Sequence, residues 1–123
     1  MEEDLRMMHL RIKKGDIGEY LFLPGSVERA KLISEYFETP QKIAHNREFA
    51  CYTGFLNGVK VSVISTGIGG PSTAIAIEES FTCGAHTMIR IGSCASTSPD
   101  VRIGDVVIPN ASVRMEGTGD HYL

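Results

Sequence analysis

Two stretches of this chain repeat one design, and that design narrows the fold more than any other feature. A strand-like segment, the apolar run YLFLP (20–24) in one case and VKVSVIS (59–65) in the other, ends in a loop of small residues and passes directly into a helix-forming segment. The hinges are LPGSVER (23–29) and STGIGGPST (65–73). Strands that alternate with helices in this way belong to α/β architectures, whose parallel strands need helices over both faces.

The helical segments carry their own punctuation. Ser26 is a natural N-cap for 26–37, where Ala30, Ile33 and Phe37 share one face, and Pro40 closes that unit. Pro71 suits the first turn of a helix over 71–82, and Gly84 suits its C-terminal end. Between them, KIAHNREFACYTGFL (42–56) reads as strands broken near Asn46, and Asn57-Gly58 predicts a hairpin turn into 59–65. TMIRIG (87–92) and DVVIP (105–109) read as further strands, with NASVRME (110–116) as another candidate. Six or seven strands against two helices leave a sheet short of cover. The expected fold class is therefore α/β, a mixed twisted sheet with flanking helices, incomplete at the C-terminus, with residues 1–123 forming the N-terminal part of a single domain.

Arg90 is the chemical anomaly. In TMIRIGSC (87–94) the strand is otherwise apolar, so the pattern places a guanidinium in an interior that tolerates it only beside a counter-charge. The partner is either a remote acid (Glu78, Glu79 or Asp105) or an anion from solution. Ligands of open α/β folds gather at the carboxyl ends of strands, where loop amides and helix N-termini favour anions. The three loops 23–29, 65–73 and 90–96, with Arg29 and Arg90 beside them, suit phosphate. Neither Walker A nor G-x-G-x-x-G spacing is present.

Composition excludes several classes. The net charge of −3 over 123 residues shows no basic excess of the nucleic-acid-binding kind. No apolar run is long enough to span a membrane, and MEEDLRMMHL is too acidic for a secretory signal. Cys51, Cys83 and Cys94 are odd in number and lack C-x-x-C spacing, which predicts a reducing cytoplasm. Cys94 is expected to be a packed thiol.

The succession LPGSVERA, HNREF, STGIGGPSTAIAIEE, IRIGSC and IGDVVIPNASVRMEG resembles the nucleoside phosphorylase family that contains uridine phosphorylase and the hexameric bacterial purine nucleoside phosphorylases. The resemblance runs in order from about His9 to Tyr122 and covers about the N-terminal half of such a protein, with the phosphorylase/hydrolase-like fold. It implies a pentosyltransferase that converts a nucleoside and inorganic phosphate, its co-substrate, to free base and (deoxy)ribose 1-phosphate, with no cofactor. It implies that Gly25, Arg29, Arg90 and Ser93 bind phosphate, with Arg90 and Arg29 catalytic. Arg47 reaches the phosphate of a neighbouring subunit, and His9 and Ser93 contact ribose. Glu48, Ile68 and Ser72 match positions that hold a monovalent cation such as potassium at a dimer interface. The implied partners are nucleoside and phosphate and further copies of the chain, as a homodimer or a hexamer built as a trimer of dimers.

Joint presence of Arg29, Arg47 and Arg90 favours a phosphorylase over a hydrolytic nucleosidase, since water needs no phosphate cradle. STGIGGPS leans to uridine and IGSC to purine nucleosides. Ser26 and Val27 stand where the family usually has aspartate and proline, and Ala95 where it usually has glycine. The alternative readings are a purine nucleoside phosphorylase, or a non-catalytic phosphate-binding fragment or interaction domain of the same fold.

Overall fold

A computed structural model describes residues 5–123. Five strands form one mixed sheet: β1 (Tyr20–Pro24), β2 (Glu38–Asn46), β3 (Phe49–Leu56), β4 (Val59–Ile64) and β5 (Thr87–Ile91), in the spatial order β2-β3-β4-β1-β5. Helix α1 (Val27–Ser34) follows β1, and α2 (Gly70–Thr82) joins β4 to β5. β1 runs parallel to both β4 and β5, while β2, β3 and β4 form an antiparallel meander. This is a mixed α/β fold with flanking helices, as the sequence predicts.

Strand alternation distributes the core between two faces. On one face Val61 and Val63 of β4 pack with Ala30 of α1 and Phe37, with Phe22, Ile33 and Tyr52 against them. On the other, Leu21, Leu23, Cys51 and Ile64 pack with Ala76 of α2 and with Leu10, Ile12 and Ile17 from the segment before β1. Thus β1 and β4 are covered on both sides; β1 reads as an unbroken apolar run, and β4 buries Ser62 between its valines.

Local chemistry sets most boundaries. Ser26 accepts a hydrogen bond from the Arg29 amide and starts α1 as expected. That helix ends at Ser34, three residues before the sequence-based limit, because bonds from Tyr36 to Ile33 and from Phe37 to Ser34 tighten the chain and turn Phe37 inward. Asn57 and Gly58 both have positive φ, 49° and 77°, the geometry of a two-residue hairpin turn. Pro40 lies within β2 rather than ending a unit. It sits on an edge strand, in a register shift between Glu38 and Gln41, where a missing amide donor is tolerated.

Two expected strands and the burial of Arg90 need correction. Residues 105–109 and 110–116 form no strand; beyond β5 the described chain carries a single 3-10 turn, Gly119–His121, and is almost wholly exposed. A strand requires a paired neighbour, and none lies beyond β5, the sheet's edge. Five strands, not six or seven, are therefore present among the described residues. For the same reason Arg90 is exposed rather than interior: β5 has a neighbour on one side only, and Ile89 is exposed too. Among the described residues no helix is long and apolar enough to cross a membrane.

Candidate active site

Because β1, β4 and β5 are parallel, their carboxyl ends lie at one end of the sheet, and the loops that follow them meet there. The Thr66 amide donates to the Pro24 carbonyl at 2.9 Å and the Gly67 amide to the Gly25 carbonyl at 3.0 Å, so the first two loops are hydrogen-bonded to each other. The third joins through Arg90. A methyl group added at Gly25 would stand 3.3 Å from Arg90 Nη2 and 3.8 Å from the Gly67 carbonyl oxygen. Glycine at this point lets the guanidinium lie against the backbone of the first loop. Arg90 Nη1 donates to the Ile91 carbonyl, which folds the side chain back over the end of its own strand.

None of the three acids considered as partners meets Arg90. Glu79 receives hydrogen bonds from His9 and Leu10, Glu78 bonds the Tyr122 hydroxyl, and Asp105 accepts from the Arg102 amide. Among the described residues no carboxylate pairs with Arg90, Arg29 or Arg47. Three cations near one end of a sheet without counter-ions leave an electrostatic field that an anion would satisfy.

Arg29 lies one turn into α1, half-buried, with its amide tied to Ser26. No hydrogen bond or ion pair of the described residues joins it to Arg90. Ser93 is exposed, immediately beyond β5. Arg47 occupies the turn between β2 and β3 with a left-handed φ of 53°. The antiparallel pairing of β3 with β4 brings this turn to the same end of the sheet as the loop after β4. Ser65 clamps the two: its hydroxyl donates to the Glu48 carbonyl at 2.6 Å and accepts from the Ala50 amide at 2.8 Å.

Glu48, Ile68 and Ser72 are also neighbours. Ser72 Oγ donates to the Ile68 carbonyl at 3.0 Å, and a methyl group on Gly67 would fall 2.6 Å from Glu48 Cγ and 3.3 Å from Ser72 Oγ. Gly67 also has φ of +71°, so both its torsion and its surroundings require glycine. No cluster of three or more His, Cys, Asp or Glu suited to a metal occurs among the described residues. A carboxylate, a carbonyl and a hydroxyl are oxygen donors of the type that hard cations take.

His9 is fixed by residues that the sequence does not single out for it. Its amide donates to Glu79 and its ring Nδ1 stands 2.6 Å from Glu79 Oε1, while Asn46 Nδ2 donates to its carbonyl at 2.7 Å. Burial raises the Glu79 carboxyl, but the bonds from Leu10 and His9 outweigh that and hold it below its ordinary value. Glu79 is 70 positions from His9, so no spacing rule could have paired them. Cys94, expected to be packed, is exposed because the chain beyond β5 has nothing to pack against. An apolar groove lined by Tyr20, Phe22, Leu56, Val59 and Ile89 opens at the opposite end of the strands and has no charged side chain.

The arrangement of loops agrees with comparison to known proteins. The family described as the phosphorylase superfamily matches residues 19–123. The chain belongs to the phosphorylase superfamily. It is 49% identical over 114 residues to uridine phosphorylase of Treponema pallidum (strain Nichols), covering 93% of this chain and 44% of that protein. Uridine phosphorylase of Thermococcus kodakarensis is 47% identical over 98% of the chain and 44% of its own length. The crystal structure of uridine phosphorylase from Vibrio fischeri ES114 complexed with 6-hydroxy-1-naphthoic acid superposes with a TM-score of 0.92 at 30% identity, over 96% of this chain and 49% of that one. The chain spans somewhat less than half the length of these superfamily relatives. In that shared portion lie the convergent loops, Gly25 and Gly67 at the site's close contacts, and all three arginines.

Proposed function

We propose that this chain carries the phosphate-binding portion of a uridine-type nucleoside phosphorylase. The observation that supports this reading is the Arg90 guanidinium, laid against Gly25 where the loops after β1, β4 and β5 meet, with no carboxylate among the described residues to neutralise it. The superfamily membership and the names of the relatives at 49% and 47% identity support this choice of reaction class and base.

In this reading phosphate lies among Gly25, Arg29, Arg90 and Ser93, with Arg47 contributed across a dimer interface. A phosphate oxygen attacks C1′ of the pentose, and the N-glycosidic bond breaks with its electron pair leaving on the base. The arginines hold the nucleophile in line, and the bound anion stabilises the sugar cation that develops. His9 meets the ribose of the neighbouring subunit. Glu48, Ile68 and Ser72 hold a monovalent cation where the dimer forms.

The test is phosphate-dependent release of base from uridine and from inosine by the 123-residue polypeptide, with its intact mass confirmed. Uracil release is the expected result. Hypoxanthine release instead would move the assignment to purine nucleosides, in line with the 34% identity to guanosine phosphorylase of Halorubrum lacusprofundi. Release of neither base would overturn the catalytic reading for this polypeptide.

A further inference from the structure

The Glu79 carboxylate does more than hold a loop to a helix. It receives Leu10 N at 2.8 Å on Oε2, and on Oε1 it meets both the His9 amide at 3.1 Å and the His9 ring Nδ1 at 2.6 Å. From the other side Asn46 Nδ2 donates to the His9 carbonyl at 2.7 Å. Backbone and ring of His9 are thus located by groups on α2 and on β2, two elements of the rigid sheet-and-helix frame. The Glu79 side chain is 15% exposed and the His9 side chain 38% exposed, so the anchor is covered while the imidazole still reaches the surface.

An ionised carboxylate has no proton to give. The hydrogens of all three bonds therefore belong to the donors, and the one between the side chains sits on Nδ1. In the neutral imidazole that leaves Nε2 as a bare acceptor. Among the described residues Nε2 has no partner. We propose that Glu79 is a positioning residue that locks His9 in the Nδ1–H tautomer and so presents Nε2 outward as a hydrogen-bond acceptor, selecting a ligand that offers a hydroxyl proton there. Resting on the nucleoside reading above, that hydroxyl is the pentose 5′-hydroxyl of a nucleoside held by a second copy of this chain.

The lock makes two separable statements. One concerns the free protein: at a pH where the imidazole is neutral, His9 holds a single tautomer. The other concerns the ligand: a nucleoside lacking the 5′-hydroxyl gains nothing from His9, and a group that accepts but cannot donate meets the Nε2 lone pair. Glutamine at position 79 would keep an acceptor but can also turn its amide N–H toward Nδ1, which reverses the ring's polarity. Aspartate keeps the charge and loses reach.

Long-range nitrogen–proton NMR of the 123-residue chain, with its histidines isotopically labelled, reads the tautomer directly. His9 is expected to show an unprotonated Nε2, and Glu79→Gln is expected to show a mixture or the opposite tautomer. Nε2–H in the unaltered chain, or an unchanged tautomer in Glu79→Gln, would overturn the lock, and the first of these needs no variant to fold. The ligand statement is read by adding uridine or 5′-deoxyuridine with phosphate. Uridine is expected to shift the Nε2 resonance and 5′-deoxyuridine to leave it unmoved, and Glu79→Gln is expected to raise KM for uridine roughly three- to tenfold, the effect of one hydrogen bond, with kcat nearly unchanged. Turnover of uridine with no response at Nε2 would sink the hydroxyl assignment and leave the phosphorylase reading standing. Absence of turnover with the single tautomer observed would sink the phosphorylase reading and leave the lock.

Discussion

Arg90 and Glu79 show two ways for a charge to be accommodated, one on an edge strand and one in the last turn of a helix. Glu79 is satisfied within the chain by three N–H donors; among the described residues Arg90 has only a carbonyl of its own strand. The first arrangement has a pH signature. A carboxyl held below its ordinary 4.5 in the folded state stabilises the fold fully above that value. That contribution is lost as pH falls through the lowered value, when Glu79 takes up a proton. Chemical denaturation between pH 7 and pH 3 should therefore show stability falling below about pH 4.5, with Glu79→Gln flattening that fall. Glu116, lowered by bonds from Gly119 and Thr118 at an exposed position, accounts for part of any slope that remains. The second arrangement has a ligand signature. Arg90→Ala should abolish the rise in melting temperature that phosphate gives the unaltered chain, and an undiminished rise would place phosphate elsewhere. Thiol chemistry separates the cysteines as well. Burial pushes Cys51 up to about 12 and raises Cys83, whereas Cys94 is exposed. A thiol-exchange reagent should titrate one cysteine in the native chain and three after unfolding, and rapid native reaction of two would contradict the buried positions.

At the scale of elements, the loop after β1 is short because a helix cap follows the strand end at once. Ser26 begins α1 two residues after β1 ends, and Ser26→Ala should cost about 1 kcal/mol of stability, measured by denaturant titration. A change smaller than a few tenths would mean that helix packing, not the cap, sets the start of α1. The N-cap, the Asn57-Gly58 turn and the Pro71 helix start were all legible in the sequence, since each depends on residues within four positions. Strand β5 was legible as a strand but not as an edge. TMIRI has the same apolar character whether one neighbour or two flank it, and only the order β2-β3-β4-β1-β5 puts it at the margin. The expectation of strands at 105–109 and 110–116 failed on the same ground: β-propensity describes a residue's fit to a pleated surface, and pairing supplies the surface.

Across the whole molecule, the three arginines come from separate parts of the topology: Arg29 from the helix after β1, Arg47 from the antiparallel turn, and Arg90 from the edge strand. The proposed role of Arg47 in a neighbouring site makes an intermolecular prediction. Mixing an Arg47→Ala chain with an Arg90→Ala chain should restore about one intact phosphate site per mixed dimer, read as recovered phosphate stabilisation, although each variant alone shows none. No recovery, with mixed dimers confirmed by mass, would make Arg47 a residue of its own subunit's site or of none.

By itself the sequence determined the alternation of strand, loop and helix, the Ser26 and Pro71 helix starts and the Asn57-Gly58 turn, and five ordered motifs that resemble the nucleoside phosphorylase family. These are local or collinear properties, carried by torsion preferences, capping bonds and residue order. Only the tertiary structure decided that Arg90 lies exposed at an edge rather than buried, that Glu79 serves His9 and not Arg90, and that Ser65 ties the Arg47 turn to the loop after β4. Each depends on contacts between elements, over 70 positions in the case of His9 and Glu79. Sequence spacing carries no distance information at that range; packing the helices on the sheet supplies it.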